Sequence, residues 1–171
     1  MTSFPPVIHS NTVILIVGTF PGVRSLEKQQ YYGHPRNRLW QLVYDILDGR
    51  SPDHDYSARL DFLKSHKVGL WDILKTCRRE GSLDQAIRFE EPNDFTSLLR
   101  RYTSVRRLLF NGQKAWYWFK KYQLKSVNSI SGFRPEYLVM PSTSPAHAVK
   151  YEIKKQKWAE ALFREKSVRT K

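Results

Sequence analysis

The sequence predicts a single α/β domain of three layers, in which helices cover both faces of a short central parallel sheet. Three short apolar runs carry this prediction, because each is rich in aliphatic residues and precedes a polar loop and a stretch with helical spacing. These runs are TVILIV (12–17), VRRLLF (105–110) and YLVM (137–140). Ligands of such sheets bind at the carboxyl ends of the strands, so we expect the functional residues in the loops after Val17, Phe110 and Met140.

The helices are predicted to alternate with these strands. Apolar residues at helical spacing predict helices over 37–47, 57–67, 94–102, 113–122 and from the loop 141–148 to about residue 166. Asn93 or Asp94 is the expected cap of the helix over 94–102. The run VGLWDIL (68–74) has an ambiguous period. Because no repeat or low-complexity linker interrupts the chain, we expect one domain over 1–171 with a core from about 10 to 165.

The chain is strongly basic. Its 171 residues include 29 Lys and Arg against 16 Asp and Glu, a net charge of +13, of which residues 101–171 carry +12. Basic surfaces attract polyanions through counterion release, so nucleic acid is the expected partner and a solvated basic face is the alternative. Aromatic residues lie among the lysines in KAWYWFKKY (114–122) and VKYEIKKQKW (149–158). We expect the C-terminal charge to flank the loops after Phe110 and Met140.

Several classes of chemistry are not supported. Cys77 is the single cysteine, so the sequence holds no disulfide framework, Cys-rich zinc site or four-Cys iron–sulfur cluster, and Cys77 itself is expected on the surface or in the core. The loop GTFPG (18–22) lacks the spacing of a dinucleotide or Walker loop, and the five histidines form no close zinc pair. Neither a secretory signal nor a membrane-spanning run is recognised, which predicts a cytoplasmic protein, associated with the nucleoid if bacterial or archaeal.

Five ordered segments carry the strongest signal, namely VGTFPG (17–22), YYGHPRNRLW (31–40), GLWDILKTCRREGSLDQAI (69–87), LLFNGQKA (108–115) and MPSTSPAHA (140–148). In this order they resemble the uracil-DNA glycosylase superfamily. The similarity is greatest to its hypoxanthine-DNA (deoxyinosine) glycosylase branch, which is related to the G:U/T mismatch-specific DNA glycosylases. A GxxPG loop alone would be weak evidence, but the ordered combination is specific and spans most of the chain.

The resemblance implies a monofunctional DNA glycosylase of base excision repair. Such an enzyme extrudes a deaminated base from double-stranded DNA, at a cost of roughly a few kcal/mol in unstacking, and hydrolyses its N-glycosidic bond. Hypoxanthine is the base implied first, with uracil and xanthine as further substrates. Cleavage places positive charge on the sugar and negative charge on the base, so it needs donors at the base and a positioned water. We expect no metal, no small-molecule cofactor and a monomer.

Asn37 and Ser142 are the catalytic residues that the resemblance implies. Relatives position water with an Asp or Asn in the GxxPG loop where this chain has Phe20, so the amide of Asn37 is expected to take that role and Phe20 to contact the base. Capping of a helix that starts at Arg38 is the alternative for Asn37. Ser142 stands where uracil-specific relatives have a histidine. Its weaker hydroxyl donor favours a purine substrate, and helix capping before Ala146 is the alternative.

Further candidates are expected to contact the base. Tyr32 matches the aromatic residue that stacks on the extruded base, with packing in the core as the alternative. Asn111 follows a strand where superfamily members read the base, although FNG is equally a turn signal. Asp72, Ser82 and Asp84 lie in the segment typical of the deoxyinosine branch, and one or two of them are expected near the base.

The remaining candidates are expected to contact DNA. Small residues in GTFPG allow close approach of the backbone to DNA, and PSTSPAHA matches the loop that enters the minor groove. The DNA-binding candidates are Gly18, Pro21, Gly22, His34, Ser144, Pro145 and His147. A structural hydrogen bond is the alternative for His34. A DNA-binding protein that keeps the glycosylase fold without catalysis is the alternative function, and Phe20 and Ser142 are the features that favour it.

Overall fold

Four parallel strands form the centre of the molecule, of which the computed structural model describes residues 1–78 and 87–163. The strands are β1 (Ile14–Gly18), β2 (Val68–Asp72), β3 (Leu74–Arg78), β4 (Arg88–Pro92), β5 (Arg107–Asn111) and β6 (Glu136–Met140). The helices are α1 (Val23–Lys28), α2 (Leu39–Leu47), α3 (Tyr56–Ser65), α4 (Phe95–Arg101), α5 (Gln113–Tyr122), α6 (Leu124–Asn128) and α7 (Tyr151–Phe163).

The central sheet has the order β2-β1-β5-β6. The strands β1 and β2 are buried along their whole length because both faces of the sheet are covered, as in other parallel sheets. Gly18 pairs with Asp72 at the ends of β1 and β2, and Asn111 pairs with Met140 at the ends of β5 and β6. All four carboxyl ends therefore meet at one edge of the sheet.

Alternation along each strand divides the core into two halves. Leu15 and Val17 of β1 pack on the side covered by α4, α5 and α6. Ile14 and Ile16 pack on the opposite side, against α2, α3 and α7. The predicted three-layer α/β fold with a central parallel sheet is confirmed.

The ambiguous run 68–74 belongs to two different strands. Its first part is β2, and Leu74 begins β3, which pairs with β4 as a separate antiparallel ribbon. Cys77 lies in β3 and is buried, in agreement with the core position that the sequence allowed. Ser82 and Asp84, two of the residues expected near the base, lie outside the described residues.

Predicted helix boundaries differ from the structure by up to about two residues, since the helix over 57–67 is Tyr56–Ser65 and the helix over 94–102 is Phe95–Arg101. The last helix begins at Tyr151, because the preceding loop is held in a non-helical path by side-chain contacts. The first predicted helix begins at Leu39 instead of 37. Asp94 caps α4, since its Oδ1 accepts the Ser97 N–H at 2.9 Å. The Ser97 hydroxyl, which donates to Asp94 Oδ2 at 2.6 Å, and then the Ser97 N–H lower the pKa of the Asp94 carboxyl. Among the described residues no helix is long and apolar enough to cross a membrane.

Candidate active site

A cleft of about 1040 Å³ opens at the carboxyl edge of the sheet. The loops after β1, β5 and β6 contribute to its wall, as expected for an open parallel sheet. The structure brings all thirteen predicted site residues together along it: Gly18, Phe20, Pro21, Gly22, Tyr32, His34, Asn37, Asp72, Asn111, Ser142, Ser144, Pro145 and His147. Residues more than 120 positions apart in sequence therefore share one surface.

Gly18 creates the deepest corner of the cleft. Asp72 lies beside it in register on β2 and is only 4% exposed. A Cβ atom at Gly18 would lie 2.2 Å from Asp72 Oδ1 and 3.1 Å from the Tyr32 hydroxyl. Glycine at this position therefore lets a carboxylate and a phenol approach the same point. The sequence predicted that Gly18 lets DNA approach the backbone closely. In the structure, Gly18 also leaves room for the side chains of Asp72 and Tyr32.

Tyr32 reaches this corner through an uncommon backbone conformation. Its φ is +54°, in the left-handed region that costs a bulky residue about 1–2 kcal/mol. The ring is partly buried and lines the cleft. Tyr32 is thus held where a base could contact it, in a conformation that the surrounding structure must stabilise.

Its neighbour Tyr31 supplies part of that support. The Tyr31 N–H donates to the Tyr56 hydroxyl at 3.0 Å, and the Tyr31 carbonyl accepts from the Trp40 indole N–H at 3.0 Å. Its own hydroxyl donates to the Pro5 carbonyl at 3.0 Å. Burial first, and then the negative charge of Asp72, raises the pKa of Tyr31. Tyr31 therefore serves as a neutral structural donor, whereas Tyr32 faces the cleft.

Asn37 lines the cleft and also supports the start of α2. Its Oδ1 accepts the backbone N–H of Leu39, the first residue of the helix, at 3.0 Å. The capping interaction predicted as the alternative is therefore present, although Arg38 occupies the N-cap position itself. Because the oxygen must face this N–H, the orientation of the amide is defined, and the Nδ2 group carries its two donor hydrogens.

Two consecutive turns shape the loop 141–148. Ser142 Oγ accepts the Ser144 N–H, and Ser144 Oγ accepts the Ala146 N–H, each at 3.2 Å. Since α7 begins only at Tyr151, helix capping before Ala146, which was the alternative role of Ser142, does not occur. The turns leave residues 145–148 exposed at the tip of the loop.

Asn111 holds this loop to the sheet. Its Nδ2 donates to Thr143 Oγ1 at 2.8 Å, and its Oδ1 accepts the Thr143 N–H at 2.9 Å. The Thr143 carbonyl in turn accepts the N–H of Arg38 at 3.0 Å. Gly112 follows with a φ of +99°, which identifies FNG as a turn. The Asn111 amide thus connects the ends of β5 and β6 to the start of α2.

Thr143 itself was missed in the sequence. It is fully buried, and its backbone and side chain carry three of the bonds that assemble the cleft. Its place between two serines in a loop before the last helix gives no local signal of burial. Only the pairing of β5 with β6 brings it next to Asn111.

Helix α7 holds both ends of the loop 141–148 through two side-chain hydrogen bonds. Lys154 Nζ donates to the His147 carbonyl at 2.8 Å, and Trp158 Nε1 donates to the Pro141 carbonyl at 3.0 Å. These two residues are four apart and therefore share one face of the helix. Lys154 is only 3% exposed, and burial, together with the charge of Arg38, lowers the pKa of its ammonium group.

The rim of the cleft is basic. The cations at the rim are Arg24, Arg36, Lys114 and Lys157. Among the described residues that line the cleft, Asp72 is the only acidic one. His34 Nδ1 accepts the Arg36 N–H at 3.1 Å, so His34 makes the structural hydrogen bond that was its alternative role and remains at the rim. Among residues 1–78 and 87–163, no group of three or more His, Cys, Asp or Glu is arranged to hold a metal ion.

The expected position of the C-terminal charge is correct only in part. Lys114 and Lys157 line the cleft, but Arg101 and Arg106 line a separate depression with Thr103, away from it. Arg107 is buried and pairs with Glu136 at 2.8 Å. Two of the rim cations, Arg24 and Arg36, come from the N-terminal segment, whose small net charge gave no indication of them.

Comparisons with known proteins find similar sequences among DNA glycosylases. The chain is 38% identical to a hypoxanthine DNA glycosylase of Methanosarcina barkeri, over 94% of this chain and 97% of the relative. It is 39% identical to a hypoxanthine DNA glycosylase of Methanosarcina acetivorans, over 94% and 96%. A G/U mismatch-specific uracil DNA glycosylase of Schizosaccharomyces pombe is 29% identical over 66% of this chain and 35% of the relative.

A solved structure shows the same fold. It is the solution NMR structure of a Methanosarcina acetivorans protein provisionally described as a uracil DNA glycosylase, with a TM-score of 0.79 and 36% identity. The match covers 94% of this chain and 95% of the other. Residues 5–166 also match the family described as the Uracil DNA glycosylase superfamily. The motifs therefore predicted the family correctly, and the chain belongs to the uracil DNA glycosylase superfamily.

Proposed function

We propose that this protein is a monofunctional DNA glycosylase that excises deaminated bases, with hypoxanthine as its principal substrate. The observation that carries the proposal is the convergence of all thirteen motif residues on one cleft with a basic rim. Two relatives that match 94% of the chain are named hypoxanthine DNA glycosylases, which supports the same substrate. A protein that only binds DNA is the less favoured alternative.

The basic rim is proposed to bind the DNA backbone while one nucleotide is extruded. Arg24, Arg36, Lys114 and Lys157 would each neutralise a phosphate near the lesion. The exposed tip of the loop 141–148 consists of Pro145, Ala146, His147 and Ala148, and its two alanines leave room for close approach to a groove of duplex DNA. We therefore propose duplex DNA as the substrate and a monomer as the active form, acting in the compartment that holds the DNA.

The extruded base is proposed to lie against Tyr32 and Phe20. Both rings line the cleft, and Phe20 is almost fully buried, so it forms an apolar wall that cannot position water. Hypoxanthine carries a donor at N1 and acceptors at O6 and N7. The carboxylate of Asp72 can accept a hydrogen bond from the base, and the Asn37 Nδ2 group can donate one.

Catalysis is proposed to rest on donors at the departing base. As the N-glycosidic bond breaks, negative charge develops on the base, and Asn37 and Ser142 are the residues proposed to stabilise it. Ser142 Oγ already accepts one hydrogen bond from Ser144, but a hydroxyl that accepts still has a proton to donate. Asn37 is also the residue proposed to orient the attacking water, whose oxygen bonds to the sugar carbon as the N-glycosidic bond breaks. The water loses one proton to solvent and the departing base takes up one proton, so that neutral hypoxanthine is released.

A panel of lesions tests the proposal. The purified protein is incubated with labelled duplexes that carry deoxyinosine, deoxyuridine, deoxyxanthosine or a G:T mismatch, and alkali then cleaves abasic sites. We expect cleavage at deoxyinosine to be fastest and to depend on the alkali step. Binding of every duplex without cleavage of any would contradict the enzyme and favour the DNA-binding alternative.

A further inference from the structure

The exposed face of α5 begins at the mouth of the cleft and continues beyond the residues that the proposed function uses. Gln113 and Lys114 at the start of the helix line the cleft. Tyr117 lies one turn further along the helix and is 49% exposed, so part of its ring is accessible to a ligand. Lys114 Nζ lies 5.1 Å from the centroid of the Tyr117 ring. The pair forms a basic and aromatic patch that continues the rim.

The position of this patch is fixed by the opposite face of α5. Ala115, Trp118 and Phe119 are buried there in the core beside β5. Tyr117 also packs edge-on against Trp118, with the ring centroids 5.2 Å apart. A tyrosine held in this way presents a flat surface and loses little conformational entropy when it binds a ligand.

The lysines further along α5 have other contacts. Lys121 pairs with Glu90 at 2.9 Å, and Lys120 lies 5.5 Å over the Trp116 ring. Lys114 differs from them because it lies at the cleft itself. The patch of Lys114 and Tyr117 is therefore the part of α5 that is continuous with the proposed substrate site.

We propose that Lys114 and Tyr117 bind the DNA strand as it leaves the cleft next to the extruded nucleotide. Lys114 contacts a phosphate, and the Tyr117 ring packs against the adjoining sugar and base. Nucleic acid is the fitting occupant because the patch has the opposite charge and adjoins the cleft. This inference rests on the proposed function, since it extends the surface that binds the same DNA.

The test measures affinity for a duplex that carries a tetrahydrofuran analogue of an abasic site. Tyr117→Ala is expected to weaken binding at least about fivefold, because a stacked ring is lost. Tyr117→Phe is expected to retain the wild-type affinity. Lys114→Ala is expected to lower the slope of log Kd against log salt by about 0.9, the value for one phosphate contact.

Matched controls separate this patch from general surface effects. Phe89 is 77% exposed and Lys125 is an exposed lysine on α6, and neither lines the cleft. Phe89→Ala and Lys125→Ala are expected to bind like the wild type. Affinities of Tyr117→Ala and Lys114→Ala within twofold of the wild type, with an unchanged salt slope, would overturn the inference.

Failure of the proposed function would look different. If the wild type excises no base while both α5 variants still lose affinity, the glycosylase proposal fails and the DNA-binding patch stands. If the wild type excises hypoxanthine while both variants bind normally, the glycosylase proposal stands and the patch fails.

Discussion

Asn37 has two roles that depend on different atoms of one amide. Its Oδ1 supports the start of α2 through Leu39, and its Nδ2 is the donor proposed to face the base or the water. The structural and catalytic interpretations of this residue are therefore compatible. They can be separated because a substitution can keep the oxygen and remove the donor.

Asn37→Ala removes both atoms. Removal of a catalytic donor typically costs about a hundredfold or more in rate, and removal of a cap costs about 1 kcal/mol of stability. Asn37→Asp keeps an oxygen for the Leu39 N–H but removes the Nδ2 donor to the departing base, so it should keep the stability of the wild type and lose most of the rate. A rate that Asn37→Asp retains would instead assign Asn37 to the positioning of water, which a carboxylate can also perform. Single-turnover excision and thermal unfolding measure the two effects. Full activity of Asn37→Ala would assign catalysis to another residue.

Gly18 sets the geometry of the corner that Asp72 and Tyr32 share. In Gly18→Ala the new Cβ would displace the Asp72 carboxylate, which it would approach to 2.2 Å, so we expect a large loss of excision rate. Overpacking of this kind also costs about 1–3 kcal/mol. The matched control is Gly69→Ala, whose Cβ would meet the Val7 carbonyl at 2.6 Å, away from the cleft.

Both glycine variants should be less stable than the wild type. Only Gly18→Ala should excise slowly when assayed at a temperature where each variant is folded. Equal loss of rate in the two variants would show that the corner itself is unimportant and that general destabilisation explains the effect.

At the scale of elements, helix α7 determines the shape of the loop 141–148. The helix presents Lys154 and Trp158 to the two ends of the loop, while Tyr151 and Lys155 hold the helix to Asp45 of α2 at 2.9 Å each. The loop is therefore held by a helix that is itself bonded to α2. Lys154 acts as a positioning residue, because it contacts the loop backbone and lies beneath the surface that DNA would touch.

Lys154→Met tests this support. Methionine can fill the buried space without the cost of burying a charge, so the fold should remain as stable as the wild type. Without the bond to the His147 carbonyl, the excision rate should fall about tenfold, as expected for a loss of about 1.4 kcal/mol in transition-state stabilisation. Lys154→Arg should restore part of it. Lys125→Met, the control at an exposed lysine of α6, should change the rate little, and an unchanged rate in Lys154→Met would contradict the role.

The parts of the fold that were predicted correctly depend on local patterns. The runs that became β1, β5 and β6 are apolar on both faces, and this pattern identifies a buried parallel strand without knowledge of its partners. The ribbon of β3 and β4 escaped prediction because its strands are half exposed and pair with each other outside the central sheet, with one further bridge from Thr76 to Thr2. The start of α7 escaped because its boundary depends on bonds from Lys154 and Trp158.

The site was predicted as a set of residues and only partly as a set of contacts. Motif similarity located all thirteen residues, but the bonds of Asn111 to Thr143 require the register of two strands that lie 25 residues apart. Asn111 was expected to contact the base, and its amide instead holds the loop 141–148. Its contact with the base therefore stays a prediction, with less support than that of Tyr32.

At the scale of the whole molecule, the net charge of +13 is distributed less simply than the sequence suggests. The cations at the cleft come from α1, the segment before α2, α5 and α7, and so from both ends of the chain. Several other cations serve the fold, as Arg107 and Lys154 do. The charge at the cleft surrounds a single buried carboxylate, an arrangement that suits an anionic polymer whose one extruded base enters a polar corner.

Detection of the released base tests whether the protein cleaves the N-glycosidic bond. A duplex with one deoxyinosine is incubated with the wild-type protein, and the products are separated by chromatography. We expect one molecule of hypoxanthine for each abasic site formed, and the strand should stay intact until alkali is added. Deoxyinosine left in the duplex at saturating protein, with the duplex fully bound, would contradict the central claim that this cleft cleaves the N-glycosidic bond.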